Sequence, residues 1–278
     1  MTRNAWTEEE IEYARKYRFE NSYSEIGKVL GRSRNAVMIK LNKLGLRLPE
    51  KYSFNKDFFE EIDSEEKAYW LGFIYADGYI SNEFEMAIHL KQEDKNHLKK
   101  LNISLDGNLK IKDFVKHLKV TNKDYKMCSI RVYSKKIVQD LKNKGVLKNK
   151  SLSIVFPKLR KDLIRHFVRG FFDGDGSIYL HKEKNHLRCK FTCASNEFVN
   201  ELNGLLNLLG IRTYIIQQTL KNKSITLGIT GKDSTKKFLE YIYDNSKIYL
   251  DRKYEFYYNN KKLLFYLYEG WNKKVMPQ

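Results

Sequence analysis

The stretch "YWLGFIYADGYI", Tyr69–Ile80, carries an apolar run directly into Asp77-Gly78, and "FVRGFFDGDGSI", Phe167–Ile178, does the same into Asp175-Gly176. Each reads as a buried helix that stops at glycine and presents one carboxylate at its end. A single such stretch is an ordinary core helix ending in a turn. Two of them, each followed by the same pattern, make the chain a duplication, and that decides the fold.

After the first stretch, "EFEMAIHLK" and "KMCSIRVYS" alternate like strands, while "EDKNHLKKL" and "SKKIVQDLKNKG" repeat like helices. After the second, "LRCKFTCAS" and "SITLGIT" are strands, and "NEFVNELNGLLNLLG" and "KDSTKKFLEYIY" are helices. Each unit closes on a basic residue, 73 positions from Asp77 to Lys150 and 78 from Asp175 to Lys253. Strands alternating with helices, without buried parallel runs, predict an α+β fold with helices on one face of a mostly antiparallel sheet. The other face is left for a ligand.

If the two motif helices pack together, Gly72 faces Gly170, and Ala76 and Gly174 fall one turn later. Small residues four apart let helices approach more closely than the usual 8–10 Å. Asp77 and Asp175 then sit side by side, with Gly78 and Gly176 turning the chain sharply into strands. Adjacent carboxylates repel unless a cation lies between them, so the pattern predicts divalent metal, Mg²⁺ or another cation such as Mn²⁺, with Ala76 and Gly174 counted in its site. Metals flanking a phosphodiester activate water on one side and stabilise the leaving oxygen on the other. A basic side chain near each centre would stabilise the charged transition state.

Composition agrees with a polyanionic partner: Lys+Arg 52 against Asp+Glu 34 gives a net charge of +18. No apolar run is long enough to span a bilayer, and "MTRNAWTEEE" is no signal peptide, so the expected location is the cytoplasm. Cys128, Cys189 and Cys193 lack the spacing of a zinc site and are expected to be reduced and buried or half-buried. "HKEKNH", His181–His186, reads as a solvated turn or phosphate contact.

Residues 1–50 form a separate pattern of three short helices. Thr7 with Glu10 makes a capping box, with Ile11 and Ala14 facing inward. Ser22 or Tyr23 opens a second helix carrying Ile26, Val29 and Leu30, stopped by Gly31. Ser33 caps a third that turns Val37, Leu41 and Leu44 inward. Two short helices joined by a tight glycine turn match a helix-turn-helix or Myb-like module, with Arg32, Arg34, Asn35 and Lys40 expected at DNA. A polar linker is expected over 51–65, then one half over 66–160 and a second over 161–278.

"WLGFIYADG" and "VRGFFDGDG" resemble the two signature copies of the LAGLIDADG homing endonucleases, and the similar organisation extends from about Ser64 to Lys253. The resemblance implies a monomer of two pseudo-symmetric αββαββα-type halves whose sheets form a saddle over double-stranded DNA. It also implies Mg²⁺-dependent cutting of both strands across the minor groove. The catalytic acids would be Asp77 and Asp175, and Lys150 and Lys253 resemble the late basic residue. Tyr75 departs from the acidic sixth position that Asp173 keeps.

Alternation along the strands nominates Glu85, His89, Lys91, Arg131 and Tyr133 for the DNA face of the first half, and Arg188, Lys190, Thr192, Thr226 and Thr230 for the second. A register slip of one residue would send all of them to the other face. The alternative is a non-cleaving protein on the same fold, an RNA-binding intron maturase or a transcription regulator. Retained Asp77 and Asp175 weigh against the regulator. An intein would need splice-junction residues, and Met1 with the ending "KKVMPQ" reads instead as a free-standing enzyme.

Overall fold

The computed structural model describes residues 5–46, 52–119, 122–146, 154–181, 185–217 and 224–264. Two compact units, Met1–Lys51 and Tyr52–Gln278, divide the chain.

The first unit holds α1 (Glu8–Tyr17), α2 (Tyr23–Val29) and α3 (Arg34–Lys43). The Thr7/Glu10 capping box is formed, and Ser22 with Glu25 makes a second one that starts α2. Ser33 accepts from the Ala36 amide to start α3. Gly31, at φ +64°, makes the turn between α2 and α3 in a conformation that favours glycine. Ala14, Ile26, Val37 and Leu41 are the fully buried centre. Val29 and Leu44, expected inward, are exposed by 62% and 36%. Val29 is the last residue of a seven-residue helix and Leu44 caps α3, so both fall beyond the buried stripe.

In the second unit α4 (Glu65–Asp77) runs without a loop into β1 (Gly78–Ile80), followed by β2 (Glu85–Lys91), α5 (Lys95–Ser104), β3 (Lys112–Leu118), β4 (Lys123–Tyr133) and α6 (Lys135–Asn143). The pattern then repeats: α7 (Lys161–Asp175), β5 (Gly176–His181), β6 (His186–Cys193), α8 (Asn196–Leu208), β7 (Thr213–Gln217), β8 (Ile225–Ile229) and α9 (Lys232–Tyr243). A last helix, α10 (Asp251–Asn260), has no counterpart among the described residues of the first half. The two sheets have equivalent orders, β1-β2-β4-β3 and β5-β6-β8-β7. Every neighbouring pair of strands is antiparallel.

Strand alternation divides each sheet into two faces. Met86, Ile88 and Leu90 of β2 and Cys128, Ile130 and Val132 of β4 belong to the hydrophobic core, as do Leu187, Cys189 and Phe191 of β6. The register pairs Glu85 with Tyr133, Ala87 with Arg131, and Tyr179 with Arg188 on the opposite faces. Phe167, Phe171 and Phe172 of α7 are buried against the core, each contributing about 1.5–3 kcal/mol of burial free energy. All three cysteines are buried, and none is in a disulfide.

Of the expected linker over 51–65, residues 52–65 belong to the second unit. Phe58 and Phe59 are buried in its core. The Ser53 amide donates to Asn108 Oδ1 at 2.8 Å, and the Asn55 amide to the Leu105 carbonyl at 2.7 Å. Burial of two phenylalanines outweighs the polar composition around them.

Candidate active site

α4 and α7 pack against each other through their glycines. A Cβ on Gly72 would lie inside van der Waals contact with the Phe167 carbonyl and 2.9 Å from the Phe171 amide nitrogen. A Cβ on Gly170 would press on the Tyr69 carbonyl and lie 2.8 Å from the Phe73 nitrogen. Backbone therefore touches backbone, which side chains at these positions would forbid. One turn on, the space beside Gly174 is filled by the Ala76 methyl, with Asp77 Oδ2 3.4 Å from where a Cβ would stand. The Asp77 carboxylate thus lies beside the last turn of the helix that ends at Asp175. Asp77 is half-buried and Asp175 exposed.

Gly78 and Gly176 cap these helices with φ of −77° and −76°, ordinary extended backbone. This corrects the sharp-turn reading: no left-handed conformation is used. The requirement is space, because a Cβ would lie 2.8 Å from the Ile74 carbonyl at Gly78 and 2.5 Å from the Phe172 carbonyl at Gly176.

Lys253, in the first turn of α10, is buried against the end of α7. Its Nζ donates to the carbonyls of Phe172 and Asp173 at 2.7 Å and Gly176 at 2.5 Å, with Gly174 at 3.4 Å. Burial pushes its ammonium down to about 8, Asp173 opposes that shift, Arg252 adds to it, and Asp77 and Asp175 also oppose it. Both motif-end carboxylates therefore act on the same ammonium. Gly174, expected at the metal, has its carbonyl near Lys253. Lys150, the expected partner in the first half, lies outside the described residues.

Among the described residues no three His, Cys, Asp or Glu side chains are grouped to hold a metal. Two carboxylates and nearby main-chain carbonyls form a partial set of hard oxygen donors. Such a set suits Mg²⁺ or Mn²⁺, which commonly take one or two carboxylates and complete their shell with waters and substrate phosphates.

The sixth positions of the two motifs differ in chemistry. Asp173 is fully buried and accepts from Tyr69, Tyr243 and the Leu250 amide. Burial raises its pKa, opposed by Lys253 and these donors. Tyr75 donates its hydroxyl to the Lys144 carbonyl.

On the open sheet faces, Arg131 is ion-paired with Glu85, which also accepts from Ser81 and Tyr133. Its positive charge is thereby offset within the protein. Lys91 is exposed and lies 3.5 Å from Glu93. Arg188 and Lys190 are half-buried on the open face of β6. His181 and His186 flank the expected turn, their rings stacked at 5.7 Å. The strand pairing also puts Lys112, Phe114, Lys116, Lys123 and Tyr125 on the open face of the first sheet. These were missed because β3 is exposed along most of its length and shows no alternation; the clue was the lysine and aromatic content of "LKIKDFVKHLK".

In the first unit Arg34 and Asn35 are exposed and Lys40 is half-buried on α3. Arg32 is different. Its guanidinium donates twice to Glu10, at 2.9 and 2.8 Å, and once to the Ala5 carbonyl at 2.8 Å, and it lies over the Trp6 ring. Arg32 fastens α1 to the turn before α3.

Residues 162–243 match the family model described as a LAGLIDADG-like domain, and residues 66–141 match the WhiA LAGLIDADG-like domain. The chain carries two LAGLIDADG-like domains. The match boundaries contain α4 through most of α6 and α7 through α9, the two repeats seen in the fold. The meganuclease I-SmaMI, solved bound to uncleavable DNA, superposes with TM-score 0.50 at 15% identity, covering 76% of this chain and 96% of that one. That likeness shows the fold: a mixed α+β LAGLIDADG architecture with two four-stranded antiparallel sheets. Among curated relatives, the replication factor C small subunit of Methanocaldococcus jannaschii is 29% identical over 171 residues, 60% of this chain and 9% of that protein. The tRNA-splicing ligase RtcB of Pyrococcus furiosus is 25% identical over 205 residues, 64% of this chain and 21% of that protein. The chain spans a small part of the length of these relatives. Among the described residues no helix is long and apolar enough to cross a membrane.

Proposed function

We propose that this chain is a site-specific endonuclease that hydrolyses both strands of double-stranded DNA with Mg²⁺ or Mn²⁺, acting as a monomer. One observation carries the reading. Close packing of two glycine-bearing helices sets Asp77 beside the turn that ends in Asp175, and both carboxylates act on Lys253. Asp77 and Asp175, with the adjoining Ala76 and Gly174 carbonyls, would hold the metal against the scissile phosphates. The bound metal supplies an activated water and offsets charge on the leaving oxygen.

Lys253 keeps a proton at Nζ beside the second centre and stabilises negative charge developing on the phosphate; Lys150, outside the described residues, is the residue expected to take this part in the first half. The open sheet faces bind the duplex, with Lys91, Arg188 and Lys190 as cationic contacts and Arg131 held in place by Glu85. Lys112, Lys116 and Lys123 extend the first face. Arg34, Asn35 and Lys40 of the helix-turn-helix-like unit add contacts outside the central site.

A non-cleaving DNA-binding role is the second reading, favoured by the match of residues 66–141 to a WhiA-type domain. The deciding experiment is cleavage selection from a randomised double-stranded DNA library in Mg²⁺ and in EDTA, with the parent and Asp77→Asn/Asp175→Asn. New ends that need metal and vanish in the double variant establish the endonuclease. DNA captured intact by both proteins, from a library long enough to hold the site, establishes the binding protein.

A further inference from the structure

Behind the paired carboxylates lies a buried joint that the endonuclease reading leaves without a role. Asp173 Oδ1 accepts from the Tyr243 hydroxyl at 2.7 Å, and its Oδ2 accepts from the Tyr69 hydroxyl and the Leu250 amide, both at 2.8 Å. Leu250 is the residue from which α10 starts, and Lys253 leaves that helix within its first turn. The same aspartate also receives Lys253 Nζ on its main-chain carbonyl. One residue therefore fixes both the start of α10 and part of the cradle into which the lysine of α10 reaches. Three donors converging on the two oxygens of one buried carboxyl group form a satisfied polar network, which suits it to hold a helix start in a single place.

Two further contacts support this role. Tyr69 belongs to the opposite motif helix, so the joint crosses between the halves. Tyr243 is the last residue of α9, so the joint also fixes the end of that helix. In the first half Tyr75, at the equivalent sixth position, donates to the carbonyl of Lys144, the residue that caps α6. Each half thus ties its sixth motif residue to the end of its last sheet-covering helix, once as an acceptor and once as a donor.

We propose that Asp173 is a positioning residue that seats the first turn of α10 and so places Lys253 across the end of α7 beside Asp175. Its effect on cleavage rests on the endonuclease reading; its effect on Lys253 does not.

Pulse acylation of amines on the full folded chain, read residue by residue by mass spectrometry, measures the placement directly. Lys253 is 5% exposed, so slow labelling is the expected result in the parent. Asp173→Asn replaces an acceptor oxygen with a donor, and labelling of Lys253 rises about tenfold or more as the helix start opens locally. Lys95 and Lys136, held by their own acidic partners elsewhere in the unit, keep parental rates. Tyr69→Phe and Tyr243→Phe each remove one donor and give smaller rises confined to Lys253.

Parental labelling of Lys253 in Asp173→Asn overturns the proposal. If that variant loses its fold and all three lysines rise together, the two phenylalanine variants decide: a rise at Lys253 alone supports positioning, and parental protection in both overturns it. On a cleavable duplex, Asp173→Asn slows single-turnover cutting about tenfold or more with DNA affinity within about twofold of the parent. Parental cutting overturns the link to catalysis. If the parent cuts no DNA, the endonuclease reading falls and the labelling still judges the placement.

Discussion

Gly72 and Phe167 meet backbone to backbone: the Phe167 carbonyl occupies the space that any side chain on Gly72 would need. Neither neighbour is the flexible end of a side chain, since the Phe171 amide nitrogen is also within 2.9 Å of the added carbon. Gly72→Ala must therefore push α4 and α7 apart or fail to pack. The expected cost is about 1–3 kcal/mol, the usual range for overpacking, or somewhat more because backbone must move. Urea unfolding measures it. Gly204→Ala is the control, since nothing lies within 4 Å of its added carbon and it sits in helix α8. There alanine is expected to be neutral or to stabilise by about 0.5–1 kcal/mol.

The same packing explains what was readable from sequence. Glycines and acids at matched positions in two copies are local signals, so the motif helices and the duplication were legible. Met86, Ile88 and Leu90 alternate against the smaller or polar Glu85, Ala87, His89 and Lys91, so the register of β2 was legible too. β3 was not, because neither of its faces is buried deeply enough to impose alternation. Phe58 and Phe59 were the overlooked sign that the supposed linker is core. The joint at Asp173 had no sequence signal, because Tyr69, Tyr243 and Leu250 come from distant parts of the chain and no periodicity encodes a long-range hydrogen bond. The tie between Arg32 and Glu10 was hidden for a related reason: composition marks a cation but cannot say which carboxylate holds it.

His97 gives the second unit a defined acid sensitivity. It is buried, with Nε2 3.0 Å from the Tyr69 hydroxyl, whose proton goes to Asp173; the tautomer is therefore Nε2–H. Burial, with Lys100, Arg252 and Lys253 adding to it, pushes its pKa from 6.5 down to about 3. The unfolded chain takes up a proton below pH 6.5 and the folded chain does not, so stability falls as pH drops from about 6.5 toward 3. A shift of that size corresponds to a loss of several kcal/mol, at roughly 1.4 kcal/mol per unit. His97→Gln keeps a donor for Tyr69 and flattens this window in urea titrations from pH 7 to 4. An unchanged slope would assign the acid sensitivity to other groups.

Arg32 and Arg34 are separated by one residue and have different expected effects. Arg34→Ala with Lys40→Ala removes two cations from α3, one exposed and one half-buried, and leaves the core of the first unit intact. The slope of log binding constant against log salt becomes shallower by up to about 1.8, roughly 0.9 for each phosphate no longer neutralised. Arg32→Ala instead breaks the tie to Glu10 and lowers the melting temperature of residues 1–51, seen as an earlier first transition by circular dichroism. Fluorescence anisotropy over a range of KCl concentrations tests the first claim. An unchanged slope in the double variant would leave α3 without a role at DNA.

Asp175→Asn keeps the size of the side chain and removes the charge that a divalent ion needs. On the endonuclease reading it lowers cutting of both strands by about a hundredfold or more, or leaves slow nicking of one strand, while DNA binding persists. The geometry makes Asp77→Asn an informative partner, because Asp77 Oδ2 lies beside Gly174, in the last turn before Asp175. If each centre cuts its own strand, the variants nick opposite strands. If the carboxylates share an ion, both variants lose both cuts together. Strand-specific end labelling on a duplex recovered from the selection separates these outcomes. Cutting of both strands at the parental rate by Asp175→Asn would remove that residue from catalysis.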